Sequence, residues 1–197
     1  MDIMRQFICA AFLLLGICFT SFSQTTDEYL ITSNSVGPVR LGMTLAQVRK
    51  AAGRMKLKKG KGIEGIPAVE VMSGSQTDMV LYFKDNDGMD RFSKNASKIY
   101  EFSKVEMINV LSDRYQTSQG VRIGTLLAKA EKQLGKLENI SHTEPRGENV
   151  AVFKAFPNLM FSVSGNLVFK EGERTTQTYK SNSKIDEIFV RDMTPRP

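Results

Sequence analysis

Val39 to Gly53 reads VRLGMTLAQVRKAAG, and Val121 to Gly135 reads VRIGTLLAKAEKQLG. The two stretches align without a gap at an offset of 82, with seven of fifteen positions identical and Leu41/Ile123 a conservative pair. In the first, Thr44 and Gln47 have the spacing of a capping box, in which each side chain satisfies a free backbone N–H at a helix start. Met43 and Val48 take the staple positions on either side of that start. Leu45, Val48 and Ala52 fall on one face, and Gly53 is placed to end the helix. In the second stretch Leu127, Ala130 and Leu134 reproduce the face and Gly135 the stop, but Leu126 replaces the capping threonine. Gly42 and Gly124 precede the two helices, where a sharply turning chain favours glycine.

Beyond each helix the periodicity becomes strand-like. In the first half, runs at Pro67–Ser73 and Met79–Lys84 flank Gly74-Ser75, and a long run from Lys98 to Val110 follows. In the second, Val150–Phe156 and Leu159–Ser164 flank the turn signal Pro157-Asn158. Leu167–Lys170, Thr175–Lys180 and Lys184–Val190 complete the set. The long run has a flaw, because Tyr100 and Phe102 lie on one phase and Val105 and Met107 on the other. Either both faces are covered there, or a bulge near Ser103 shifts the register. The pattern predicts an α+β fold of two tandem repeats, 24–111 and 112–197. Each would be a helical segment packed on an antiparallel sheet of about four strands, the two sheets joined edge to edge into one curved sheet.

Residues 1–23 read as a secretory signal. Arg5 precedes an apolar run, Phe7–Phe19, that falls short of the roughly 18 residues a membrane span needs, and Ser21 and Ser23 are small residues before a cut at Gln24. Cleavage removes both cysteines, Cys9 and Cys18, and with them any disulfide, thiol nucleophile or cysteine metal ligand. Ile17 before Cys18 departs from a lipobox, which favours a periplasmic or secreted product over a lipid-anchored one. No second apolar run of membrane-spanning length exists.

The net charge of +6 survives cleavage, since the signal carries one Asp and one Arg. Seven cations and no acid lie between Arg49 and Lys61. With no aromatics among them to stack on bases, nucleic acid is not the expected partner. They read as a solvated helix end running into a loop, or as an anion-facing patch of Arg54, Lys56, Lys58, Lys59 and Lys61 for a lipid headgroup, glycan or acidic partner.

The segment VGPVRLGMTLAQVRKAAG resembles the G-x-I-x-x-G-M-T-x-x-x-V-x-x-x-L-G signature of the β-lactamase-inhibitor-protein fold and of small outer-membrane lipoproteins of the SmpA/OmlA type. The match lies at Gly37, Val39, Leu41, Gly42, Met43, Thr44, Val48 and Gly53. YQTSQGVRIG at Tyr115–Gly124 is similar to a y-x-T-x-x-G-I-x-x-G run of tandem forms. The resemblance implies a helical segment on a four-stranded antiparallel sheet, twice over. The inhibitor proteins carry cysteine pairs in their loops, which this chain lacks after cleavage, and none of their enzyme-contacting residues is matched. The SmpA/OmlA lipoproteins have one copy of the unit and a clean lipobox.

No cofactor or metal site is expected. His142, the only histidine, has no nucleophile-elbow serine to serve and reads as a loop residue. DNDGMD at Asp85–Asp90 fails as a calcium loop and reads as a turn. Gly60, Gly62 and Gly65 lack phosphate-loop spacing. Asn95-Ala96-Ser97 and Asn139-Ile140-Ser141 match a common glycosylation sequon. The expected function is a non-enzymatic binding or scaffolding module of the bacterial cell envelope contacting another envelope protein, with Tyr82, Tyr100, Phe102, Phe161 and Tyr179 as candidate anchors whose alternative reading, the commoner one for any single residue, is ordinary core. The alternatives are an inhibitor of a secreted enzyme and a hydrolase using carboxylates such as Glu101, Glu106 and Asp186.

Overall fold

A computed structural model describes residues 28–60, 68–84, 98–143 and 147–192. The signal segment with its cysteines, Lys61, the DNDGMD turn and the Asn95 sequon lie outside these residues. Fifteen strands and two helices are described: β1 (Leu30–Ile31), β2 (Ser35–Val36), β3 (Val39–Arg40), α1 (Leu45–Ala51), β4 (Lys56–Gly60), β5 (Ala68–Ser73), β6 (Gln76–Phe83), β7 (Val105–Val110), β8 (Gln116–Thr117), α2 (Leu127–Leu134), β9 (Leu137–Thr143), β10 (Glu148–Phe153), β11 (Leu159–Ser164), β12 (Leu167–Val168), β13 (Thr175–Thr176), β14 (Thr178–Tyr179) and β15 (Lys184–Arg191). Nine of the strands form one sheet in the order β13-β9-β10-β11-β15-β7-β6-β5-β4, antiparallel at every pairing. A smaller sheet, β3-β2-β1-β8, closes with the parallel pair Leu30↔Gln116 and Ile31↔Thr117.

This overturns the α+β expectation of two repeated helix-on-sheet units. The described residues are 49% strand and 11% helix, with nine of the strands in one large sheet. The helices are short for a physical reason. Apolar helical spacing lasts two turns in each, and the cationic stretch after α1, read as a helix end and loop, forms a strand instead. The capping box of α1 is made: Thr44 N–H donates to Gln47 Oε1 at 2.8 Å, and Gln47 N–H to Thr44 Oγ1 at 3.2 Å. Leu126 begins α2 with no side-chain cap.

One face of the large sheet is the core. Val69, Val71, Met79, Leu81, Phe83, Ile108, Val110, Ile188, Phe161 and Phe153 are buried there with Leu45 and Val48 of α1 and Leu127, Ala130 and Leu134 of α2. Burial of this continuous apolar layer is the main stabilising contribution. The flawed long strand resolves differently from either expectation. Strand pairing begins only at Val105, and the register slips where Tyr82 pairs Met107 but Phe83 pairs Val105. Glu106 is the extra residue of that bulge, which lets Val105 and Ile108 both face inward. Opposite β11 the same device at Asp186 turns both Ile185 and Ile188 inward. Residues 98–104 are therefore no strand; they run past α1, whose first N–H groups they bind.

Candidate functional site

Among the described strands the sheet ends at β4, and beside that end lies a cavity of about 330 Å³ lined by Leu45, Arg49, Leu57, Lys58, Lys59, Val69, Lys98, Ile99 and Tyr100. Three elements build it. Leu45 and Arg49 stand four apart on α1 and so share a face. On β4, strand alternation puts Leu57 and Lys59 on the core side, opposite Val71 and Val69, and Lys56 and Lys58 on the other side, opposite Met72 and Glu70. The 98–100 segment is anchored through its continuation: Leu45 N–H donates to the Ser103 carbonyl and Ala46 N–H to the Glu101 carbonyl, each at 3.0 Å. Ser103 in turn is buried, and its Oγ accepts from Tyr100 N–H at 3.0 Å.

The groove has an apolar floor (Leu45, Leu57, Val69, Ile99) and a cationic rim (Arg49, Lys58, Lys59, Lys98). Among the described residues only Arg49 of these four is ion-paired, its Nε lying 3.1 Å from Glu101 Oε1 with both side chains over half exposed. Such a pair costs little to open. Tyr100 stacks on Phe102 with ring centroids 5.2 Å apart and planes 6° from parallel, and Phe102 is 65% exposed. An exposed aromatic of that size beside a basic groove is a ledge on which an apolar group can lie.

The five aromatic candidates therefore separate. Tyr100 and Phe102 meet at the groove. Tyr82 is on the opposite face of the sheet and 5% exposed. Phe161 is wholly buried, its ring edge-on to Phe153 at 5.3 Å, so it is a core residue and no partner anchor. Tyr179 is half-buried and donates to Glu131 Oε2 at 2.5 Å; burial first, then that bond, pushes its phenol up to about 12. Of the cationic candidates, Lys58 and Lys59 line the groove, Lys56 flanks it on β4, and Arg54 stands in the turn before. Sequence reading missed Arg49 and Lys98 as members; Arg49 was legible as the residue four beyond Leu45. The charge run and the aromatic pair, taken as separate features, form one surface.

His142 is not in a loop but on β9, paired with Asn149, whose Oδ1 lies 3.1 Å from its Nδ1. Asp186 lies 3.9 Å from Lys184, and none of Glu101, Glu106 and Asp186 lines the groove. Among the described residues no cluster of three or more His, Cys, Asp or Glu side chains could hold a metal, and no helix is long and apolar enough to cross a membrane.

A second polar cluster escaped sequence reading. Asp78, wholly buried on β6, accepts from the Arg114 guanidinium and, at 2.5 Å, from Ser73 Oγ. Arg114 also donates from Nε to Ser112 Oγ at 3.3 Å and lies 5.7 Å from the Tyr29 ring centroid. The hydrogen bond to Asp78 raises the guanidinium further above its ordinary value.

No family model matches the chain, and no curated protein does. Among solved structures, it is similar to the uncharacterized protein YfeY from Escherichia coli, at 20% identity and a TM-score of 0.56, covering 82% of this chain and 99% of that one. At that identity the likeness speaks for the fold alone.

Proposed function

We propose that this is an exported, non-enzymatic binding module of the cell envelope, which holds an acidic protein partner at the groove between α1 and the β4 edge. The observation that carries the reading is the convergence there of three cations that form no ion pair among the described residues, an apolar floor and an exposed aromatic ledge. A cationic rim steers an acidic surface toward the site, and the floor supplies the affinity that charge alone does not. The export reading rests on residues 1–23, whose apolar run is too short to span a membrane.

The test is capture from envelope extracts by the mature chain and by its Lys58→Glu/Lys59→Glu/Lys98→Glu variant. A specific partner should be retained by the unaltered chain, released by moderate salt, and absent from the variant. Equal capture by both chains overturns the assignment of the groove. Fractionation of cells producing the full chain tests export: retention of uncleaved protein in the cytoplasm overturns it.

A further inference from the structure

We infer that the acidic partner binds by adding an extended strand to the free edge of β4. This rests on the binding reading above and specifies its geometry.

Among the described strands β4 has one neighbour, β5, so its other side is the terminus of the nine-stranded sheet. An edge of this kind offers backbone donors and acceptors to any incoming strand. Proteins close such edges with proline, with a bulge, or by keeping them very short. β4 uses none of these: it is five residues long, has no proline, and pairs continuously with β5 from Lys56↔Met72 to Gly60↔Ala68. Its guard is charge, from exposed Lys56, Lys58 and Lys59. In a chain of net charge +6 that guard repels a second copy of itself. The same lysines attract carboxylates, so the charge that prevents self-association selects an acidic strand.

The neighbouring groove supplies the second half of the specificity. A strand laid along β4, roughly 4.8 Å away, alternates its side chains between the two faces of the sheet. On the core side they enter the groove over Leu45, Leu57 and Ile99, past Lys59 at its rim, where apolar groups fit the floor. On the other side they meet Lys56 and Lys58, two cations against the single carboxylate of Glu70 opposite Lys58, so that carboxylates fit there. The arrangement therefore reads an alternating acidic and apolar segment.

The probe is the capped peptide Glu-Val-Glu-Val-Glu-Val-Glu, with two controls, one N-methylated on every valine and the other on every glutamate after the first. Residues of one parity turn their N–H groups toward the same edge, so one control loses its bonds to β4 and the other keeps them. Titrated into the mature chain at low ionic strength, the parent should bind. One control should then be weaker by roughly tenfold or more, two or three hydrogen bonds being lost, and the other nearly unchanged. Amide exchange at alternate residues of Lys56–Gly60 should slow on binding. If both controls bind like the parent, strand addition is overturned while the groove remains a binding site. If the parent does not bind although capture from extracts still depends on the three lysines, strand addition is again overturned and the partner uses the groove otherwise.

Discussion

Asp78 and Arg114, 36 residues apart in sequence, are joined by a hydrogen-bonded ion pair in which the Asp78 side chain is wholly buried and the Arg114 side chain is 40% exposed. The pair ties β6 to the turn after β7, and Leu111 N–H, bonded to the Asp78 carbonyl at 2.9 Å, reinforces the tie. Because one end is dry, the two partners are not equivalent.

Arg114→Met leaves the Asp78 charge buried with only Ser73 to answer it, and should cost about 3–5 kcal/mol of stability in urea denaturation. Arg114→Lys, which keeps a cation but loses the planar fork, should cost less. A loss below about 1 kcal/mol for the methionine variant would show that water reaches Asp78.

Tyr115 and Tyr179 give the chain an alkaline limit. Burial pushes the Tyr115 phenol up to about 12, and Tyr179 is raised to the same region. Both are neutral in folded and unfolded chains below about pH 10, so their contribution to stability is fully present there. Between about 10 and 12 the unfolded chain loses these protons before the folded one does. Stability should therefore fall as pH rises through that window. Absorbance titration should show Tyr115 and Tyr179 ionising late, with the delay abolished in denaturant. The hydroxyls differ otherwise: that of Tyr115 is buried with no hydrogen-bond partner among the described residues, while that of Tyr179 donates to Glu131. Tyr115→Phe should be neutral or stabilising by about 1 kcal/mol, and Tyr179→Phe should cost about 1–2 kcal/mol.

The two helix starts make opposite predictions. Thr44→Ala removes a formed capping bond and should cost about 1 kcal/mol. Leu126 begins α2 in an extended conformation, 47% exposed and without a cap bond. Leu126→Thr should stabilise the chain by about 0.5–1 kcal/mol, read as a rise in thermal midpoint. No gain would mean that the Leu126 side chain contributes packing equal to the cap.

These helix starts were the most legible part of the chain, because a cap is a local event between residues three apart. Strand β11 was equally legible, since Leu159, Phe161 and Val163 alternate cleanly toward the core. Edge strand β4 was not: KLKKG has one apolar residue in five, and its strand character comes from pairing with β5. β9 was missed for a similar reason, its inward Leu137 and Ile140 lying three apart across the irregularity at Val152/Phe153. Tyr100 and Phe102 were assigned to a strand because hydrophobicity at alternate positions carries no information about the turn at Ser103. The groove was legible only in pieces, since β4, α1 and residues 98–100 meet through tertiary contacts.

Gly165 is a glycine whose replacement should be damaging at a surface turn. Its φ is +107°, and a Cβ there would lie 2.8 Å from Ser183 Cα and 3.2 Å from the Asn182 carbonyl oxygen. Gly165→Ala should cost about 3 kcal/mol or more, strain and backbone collision together. Gly124→Ala has a similar positive φ, at +83°, but meets nothing within 4 Å, and should cost about 1 kcal/mol. Chemical denaturation of the pair separates steric from conformational cost.

The last described strand in chain order, β15, lies inside the large sheet, between β11 and β7. Pairs such as Ile188↔Val110 span 78 residues, so the sheet cannot be completed until Lys184–Arg191 has been synthesised. Until then the growing polypeptide carries two strands awaiting the same partner, a topology that folds slowly and late. For a chain proposed to be exported, that delay would be useful: a late-closing sheet would leave the polypeptide unlocked while it is threaded across a membrane.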